Sequence, residues 1–147
     1  MQRARFSLFI LFLCFAPFAG AKPFLGNAAI ASAHPLATQA GKAILDQGGN
    51  AFDAAVAVAA ALAVVEPYSS GLGGGGFFLL HRARDGKQVM LDARETAPLQ
   101  ATANMYLDAA GKVTPNASLQ GARAAGIPGL PAGLVYLARH FGRLPLA

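Results

Sequence analysis

The stretch GGNAFDAAVAVAAALAVVEPYSSGLGGGGF, residues 48–77, decides the fold of this chain. It contains the start signal, the body and the end signal of one helix, and a glycine-rich loop follows directly. Gly48-Gly49 supplies a left-handed stop for a preceding helix, and Asn50 is a favoured N-cap residue. Ala51–Val65 then predicts a helix that is apolar on nearly every side, and Glu66-Pro67 ends it. The helix is shorter than the roughly 20 residues that a membrane span needs. We therefore expect it to be buried in a protein core.

The segments on either side of this stretch predict a mixture of helices and strands. Pro35 suits the first turn of a helix over Leu36–Gln47, whose inward face consists of Leu36, Ala40, Ala43, Ile44 and Gln47. Asp85-Gly86 is a hairpin turn signal between two apolar strands. The further predictions are a short buried strand within Gly26–Ala33, hairpin strands at Phe77–Leu80 and Gln88–Leu91, an irregular segment at Asp92–Pro98, a turn or short helix at Met105–Asp108, and a last helix at Ala132–Phe141 with Leu134, Leu137, Ala138 and Phe141 inward.

The composition is that of a folded and unusually apolar chain. Of its 147 residues, 54% are hydrophobic and 13% are charged, whereas ordinary soluble domains have about 25% charged residues. This apolar content excludes disorder, because it supplies the burial that ordering requires. One cysteine and no tryptophan exclude a disulfide scaffold and a cysteine-built zinc site.

The net charge of +5 is a weak sign of a nucleic-acid partner. Two of the twelve basic residues, Arg3 and Arg5, lie in a segment that we expect to be removed, which leaves ten basic and seven acidic residues. The remaining basic residues are scattered singly, without a stripe or interleaved aromatic residues. We therefore expect no nucleic-acid partner.

Met1–Ala21 has the pattern of a secretory signal peptide. Two arginines precede an apolar run at Phe6–Phe15, Pro17 breaks the run, and Ala19-Gly20-Ala21 offers a small-residue cleavage site before Lys22. The alternative is an uncleaved N-terminal anchor. The signal peptide predicts an exported protein, periplasmic or extracellular, with no stable membrane span after cleavage.

The glycine-rich loop contains a literal G-x-G-x-x-G at Gly71, Gly73 and Gly76. A dinucleotide-binding loop follows a strand and opens a helix, so that the pyrophosphate meets the helix N-terminus. Here the predicted order is reversed, with a helix before the loop and a strand after it. The sequence therefore argues against nucleotide binding. The glycines instead indicate a backbone that approaches either another chain segment or a ligand closely.

Arg94 and Glu95 lie side by side just past a predicted strand. The guanidinium of arginine offers a planar fork of donors that matches a carboxylate in two parallel hydrogen bonds. Arg94 is therefore a candidate for holding an acidic small molecule. The alternative is a structural ion pair, for example with Asp92, and the residues alone leave both possibilities open.

Other patterns that would mark a catalytic or metal centre do not occur in the sequence. No paired-histidine or H-E-x-x-H spacing indicates a metal site, and no G-x-S-x-G indicates a nucleophilic serine. We expect His34 and His140 to have structural roles and His81 to face solvent. The residue chemistry alone yields no complete catalytic set, no metal and no cofactor.

Several blocks of the chain, taken together, resemble the gamma-glutamyltranspeptidase family (gamma-glutamyltransferase, glutathione hydrolase). The resemblance covers the chain from about Gly26 to its end. The blocks are Ala33–Gly41 (AHPLATQAG), Gly48–Ala57 (GGNAFDAAVA), Gly71–Phe77 (GLGGGGF), Leu91–Pro98 (LDARETAP), Met105–Asp108 (MYLD) and Gly126–Gly129 (GIPG).

The resemblance implies an α+β fold, the αββα sandwich of an N-terminal-nucleophile hydrolase. Proteins of this family cut themselves into a large and a small subunit, and the new N-terminal threonine of the small subunit attacks the gamma-glutamyl amide. Water or an acceptor amine then resolves the gamma-glutamyl enzyme. The family's arginine in the D-x-R-E segment holds the α-carboxylate of the glutamyl group, and Arg94 occupies that position here.

The resemblance also implies that this chain is a fragment. Residues 22–147 match the N-terminal portion of a large subunit. The chain has four threonines, Thr38, Thr96, Thr102 and Thr114, and none of them lies in a sequence like the one that surrounds the family's nucleophile. We therefore expect no catalytic residue in this chain, which alone would be inactive. Its expected partners are a small gamma-glutamyl substrate such as glutathione, the remainder of the large subunit, and the small subunit. The alternative is a non-catalytic exported remnant that binds a glutamyl group or a partner.

Overall fold

The computed structural model describes residues 28–146, so the predicted signal peptide at 1–21 lies outside the described residues. The elements in chain order are α1 (Pro35–Asp46), α2 (Ala51–Val65), β1 (Gly76–Arg82), β2 (Lys87–Ala93), a 3₁₀ helix (Ala122–Ala124) and α3 (Leu130–Phe141). The predicted mixture of helices and strands is therefore confirmed. Between residues 28 and 146, no helix is long and apolar enough to cross a membrane.

Local signals in the sequence begin and end α1. The Nδ1 atom of His34 accepts the backbone N–H of Leu36 at 3.2 Å, which caps the first turn, and Pro35 occupies that turn. After the helix, Gly48 adopts a φ of 87°, a left-handed conformation that glycine reaches without strain. The helix and its boundary residues are thus as predicted, apart from a shift of one residue at each end.

The buried face of α1 is not the predicted one. Ala37 and Gly41 are buried, whereas Leu36 is exposed. A Cβ on Gly41 would lie 2.7 Å from the Cγ2 atom of Val58 on α2 and 2.9 Å from the Cδ1 atom of Ile30. The two helices approach so closely that only small residues fit between them, and this requirement outweighs the apolar periodicity.

A capping box starts α2. The side-chain oxygen of Asn50 accepts the N–H groups of Phe52 at 2.8 Å and Asp53 at 3.0 Å, and a carboxylate oxygen of Asp53 accepts the N–H of Asn50 at 2.8 Å. These bonds satisfy backbone donors that have no partner within the helix. The predicted bounds of the helix are confirmed.

The helix α2, apolar on nearly every side, is not buried as the sequence led us to expect within the described residues. Only Asp53 and Ala54 are buried, and Val64 is 77% exposed. The helix packs mainly against α1 and less extensively against α3. Two neighbouring helices cover only part of its circumference, so the remaining apolar surface lines open grooves.

The strands β1 and β2 form an antiparallel hairpin, as predicted, in which Leu79 pairs with Met90. At the turn, Gly86 has a φ of 67° and Arg82 donates to the carboxylate of Asp85. Hydrogen bonding by this guanidinium lowers the pKa of Asp85 to about 2. The turn chemistry therefore fixes the register of the hairpin.

The strand predicted within Gly26–Ala33 is absent over the described residues of that segment, 28–33. A strand exists only where its backbone pairs with a neighbour, and β1 and β2 pair with each other in a two-stranded sheet. The segment predicted as a turn or short helix at Met105–Asp108 is a turn, closed by a bridge between Leu107 and Val113.

The small core of the described residues lies between α3, the hairpin and α2. Leu137 is fully buried, and Leu130, Leu134 and Ala138 are nearly so, whereas Phe141 is only half-buried. The helix begins two residues before its predicted start. Gly133 lies directly against the side chain of Ala93 at the end of β2. α3 thereby packs on one face of the hairpin and supports the point where β2 ends.

Candidate functional site

Arg94 is the first residue after β2, at the edge of the sheet. Its backbone N–H donates to the Oδ1 atom of Asp92 at 2.9 Å, which turns the chain away from the strand. Its side chain is 61% exposed. The residue before it, Ala93, is buried. The buried Ala93 therefore anchors the backbone, and the side chain of Arg94 extends from it into solvent.

The guanidinium of Arg94 forms an ion pair with its neighbour. Its Nε atom lies 3.2 Å from an oxygen of the Glu95 carboxylate, whose side chain is 35% exposed. The ion pair that the sequence left open as the alternative is thus present, but its partner is Glu95 and not Asp92, whose carboxylate accepts the backbone N–H. Nε makes the closest contact of this ion pair, and the side chain as a whole remains 61% exposed. The guanidinium is therefore accessible to a carboxylate.

An aromatic ring faces the same guanidinium. The Cζ atom of Arg94 lies 5.9 Å from the centroid of the Phe77 ring, within the distance at which a cation is attracted to an aromatic face. Phe77 is on β1 and pairs with Asp92 across the hairpin. The last residues of the glycine-rich loop thus place a ring beside the candidate binding residue.

The glycine-rich loop approaches the backbone on which Arg94 and Glu95 lie. A Cβ on Gly75 would be 2.7 Å from the Cα atom of Arg94 and 2.7 Å from the backbone nitrogen of Glu95. Gly73, by contrast, has nothing within 4 Å of such an atom. Of the two possibilities left open by the sequence, the close approach at Gly75 is therefore to another chain segment.

A second glycine segment also approaches this backbone. A Cβ on Gly129 would collide with the carbonyl oxygen of Arg94, and one on Gly126 would be 3.1 Å from the Cβ atom of Glu95. The backbone of Thr96 forms a two-way bridge with Ile127, with N–O distances of 3.1 and 2.8 Å. Residues 126–129 and Gly75 thereby both pack against the Arg94–Glu95 segment.

The glycine-rich loop is also tied to the start of α3. The carbonyl oxygen of Gly74 accepts the N–H groups of Gly129 and Leu130, both at 3.1 Å. These are among the first donors of the helix and have no partner within it. The sequence showed the glycines at both places but not that they meet. The only signal was the unusual density of glycine in both segments.

A groove of about 540 Å³ lies beneath this loop. Its lining residues come from the glycine-rich loop, the end of α2, the start of α3 and the Glu95 side chain: Ala59, Leu62, Ser69, Ser70, Gly74, Glu95 and Leu130. A larger groove of about 1030 Å³ lies between α1 and α2, away from Arg94. The smaller groove is the one that adjoins the candidate residue.

The histidines lie away from the Arg94–Glu95 segment. His34 caps α1 as described, His81 is exposed on β1, and His140 stacks on the Tyr136 ring with centroids 4.0 Å apart. The structural roles expected for His34 and His140 agree with these contacts. Across residues 28–146, no three His, Cys, Asp or Glu side chains are grouped as metal ligands.

A family model and curated relatives of this chain agree on one family. A family model described as gamma-glutamyltranspeptidase matches residues 37–147. A glutathione hydrolase proenzyme of Pseudomonas sp. (strain A14) is 48% identical over 116 residues, which are 79% of this chain and 20% of that protein. A glutathione hydrolase proenzyme of Escherichia coli (strain K12) is 46% identical, over 80% of this chain and 20% of that protein.

A solved structure gives the same result for the fold. The crystal structure of Helicobacter pylori gamma-glutamyltranspeptidase is similar with a TM-score of 0.74 and 47% identity, over 82% of this chain and 35% of that one. The chain spans about a fifth of the length of these curated relatives. From the family match and these identities, the chain belongs to the gamma-glutamyltranspeptidase family.

Proposed function

We propose that the complete protein containing these residues cleaves gamma-glutamyl amides such as glutathione and transfers the glutamyl group to water, amino acids or peptides. The observation that carries this proposal is the guanidinium of Arg94, whose side chain is 61% exposed directly after the buried Ala93. Family membership supplies the reaction class, and the geometry supplies a group suited to the donor substrate.

Arg94 binds the α-carboxylate of the donor in this proposal. A gamma-glutamyl group ends in a carboxylate on its α-carbon, and the two Nη atoms match its two oxygens in parallel hydrogen bonds. The ion pair with Glu95 makes its closest contact through Nε and leaves 61% of the side chain exposed, which gives a carboxylate access to the guanidinium. Such a contact fixes the donor at the end remote from the bond that breaks.

The reaction itself requires a threonine nucleophile from residues other than these 147. Its hydroxyl oxygen attacks the gamma-carbonyl carbon, its own α-amine takes the proton, and the amine of the donor leaves with a proton. The resulting ester is cleaved by water, giving glutamate, or by an acceptor amine, giving a new gamma-glutamyl amide. The relatives are about five times as long as the segment they share with this chain, which supports a nucleophile outside these residues. The isolated chain is inactive in this proposal.

We further propose that residues 22–147 form part of a large subunit with an αββα sandwich. One face of the β1–β2 hairpin packs on α3, and the opposite face exposes Phe77, Leu79 and Met90. A second sheet lying on that apolar face would complete the two inner layers of the sandwich. The partners are thus the remainder of the large subunit and the small subunit.

Export by the signal peptide at 1–21 completes the proposal and gives a periplasmic or extracellular enzyme.

Gamma-glutamyl-p-nitroanilide, incubated with the purified complete protein, tests the activity directly. We expect release of p-nitroaniline, and no release from the α-glutamyl isomer. Equal cleavage of both isomers, or of neither, would refute the proposed activity.

A further inference from the structure

Two groups lie beside the guanidinium of Arg94, and a third fixes its backbone. The carboxylate of Glu95 makes its closest contact with Nε at 3.2 Å, and the ring of Phe77 has its centroid 5.9 Å from Cζ. The carboxylate of Asp92 accepts the backbone N–H of Arg94 at 2.9 Å. The side chain of Arg94 is nevertheless 61% exposed, so a ligand can reach the guanidinium.

Phe77 is held as firmly as the residue it faces. It belongs to β1 and pairs in register with Asp92, the residue that fixes the Arg94 backbone. Gly75, two residues before Phe77, packs against the backbone of Arg94. The ring and the guanidinium are therefore attached to two pieces of backbone that cannot move independently.

We propose that Phe77 is a positioning residue for donor binding: its ring restrains the guanidinium of Arg94 so that the Nη edge faces the α-carboxylate of the substrate. This inference rests on the proposed function. A long arginine side chain that is 61% exposed loses rotamer freedom when it binds a ligand, and a ring that restrains it beforehand reduces that loss. The ring leaves the Nη donors free because it interacts through its face.

The alternative role for Phe77 is a purely apolar one. Phe77 is 59% exposed, and Leu79, two residues along the same strand, is 71% exposed on the same face. If the ring only supplied apolar surface for a neighbouring layer, loss of Leu79 would have the same consequences. Leu79 is therefore the matched control.

The test compares Phe77→Leu, Phe77→Tyr and Leu79→Ala in the complete protein, by kcat and KM for gamma-glutamyl-p-nitroanilide. A cation over an aromatic face corresponds to roughly a two- to fivefold change in affinity when exposed, a lower bound here because the proposed second sheet would cover the ring. We expect Phe77→Leu to raise KM by about that factor with little change in kcat. Phe77→Tyr, which keeps the ring, restores the wild-type KM, and Leu79→Ala leaves KM unchanged. Phe77→Met replaces Phe77→Leu if that variant does not accumulate.

The outcomes separate this inference from the function on which it rests. If the wild-type protein does not cleave the substrate, the proposed function fails and the inference with it. If the wild type is active but Phe77→Leu has an unchanged KM, or if Leu79→Ala raises KM equally, the inference alone is overturned. A fall in kcat without a change in KM would also overturn it, because a positioning role acts on donor binding.

Discussion

Both carboxylate oxygens of Asp53 accept the backbone N–H of Arg143, at 3.2 and 2.9 Å, although ninety residues separate the two in sequence. The same carboxylate caps α2 through the N–H of Asn50. The side-chain nitrogen of Asn50 in turn donates to the carbonyl oxygen of Phe141 at 2.7 Å. One buried acid therefore joins the start of α2 to the end of α3.

Asp53→Ala is expected to destabilise the complete protein by about 2 kcal/mol, since it leaves the backbone N–H groups of Asn50 and Arg143, in partly buried hydrogen bonds, without acceptors. Asp53 is 8% exposed, so water cannot fully replace the lost bonds. The thermal melting temperature measures the effect. The control is Asp46→Ala, which removes an exposed ion pair with Lys42 and should change stability by less than about 1 kcal/mol. Equal shifts for both variants would contradict the role of Asp53.

Gly75→Ala should damage the candidate site, because the added methyl group would meet the backbone of Arg94 and Glu95 at 2.7 Å. Overpacking of this kind costs roughly 1–3 kcal/mol. The KM for the donor should also rise, because the added methyl group displaces Arg94. Gly73→Ala is the matched control, since its methyl group meets nothing within 4 Å. Melting temperature and KM are measured for both variants, and wild-type values for Gly75→Ala would disprove the close packing.

Arg94→Lys should retain folding and self-cleavage but weaken the use of gamma-glutamyl donors. Lysine keeps the charge and loses the bidentate fork, and a charge-assisted hydrogen bond contributes about 1.5–3 kcal/mol, or roughly ten- to more than a hundredfold in donor KM. Steady-state kinetics with gamma-glutamyl-p-nitroanilide measure the change. The 4-aminobutanoyl analogue lacks the α-carboxylate and should be affected far less.

Arg84→Lys provides the variant control for this experiment, because Arg84 is exposed near the hairpin turn and away from the site. Its kinetics should equal those of the wild type. Wild-type donor kinetics for Arg94→Lys would mean that the ion pair with Glu95 is structural and that Arg94 does not bind the donor.

The 147-residue chain produced alone should not unfold cooperatively. A two-stranded hairpin is marginal by itself, and large apolar side chains of this chain are exposed, among them Leu79, Met90 and Val64. Near-ultraviolet circular dichroism during heating measures this property, with the complete protein as reference. A sharp transition of the isolated chain would favour the alternative of a self-contained binding remnant.

Local signals in the sequence determined the elements of this fold. Asn50 and Asp53 lie three residues apart, so their capping box could be predicted from sequence, and the hairpin followed from Asp85-Gly86 in the same way. Such signals act over a few residues, and their hydrogen bonds close within one turn. The glycine-rich blocks and the D-x-R-E segment also determined the family, because that combination at that spacing is specific.

The tertiary structure alone decided how those elements meet. The sequence did not reveal that Gly75 and Gly129 both pack against the Arg94 backbone, or that Arg94 pairs with Glu95 rather than Asp92. It also placed the inward face of α1 on its larger residues, whereas contact with α2 buries Ala37 and Gly41. These outcomes depend on distances between segments far apart in the chain. Local periodicity carries no information on such distances, because only packing of the whole surroundings determines how closely two backbones approach.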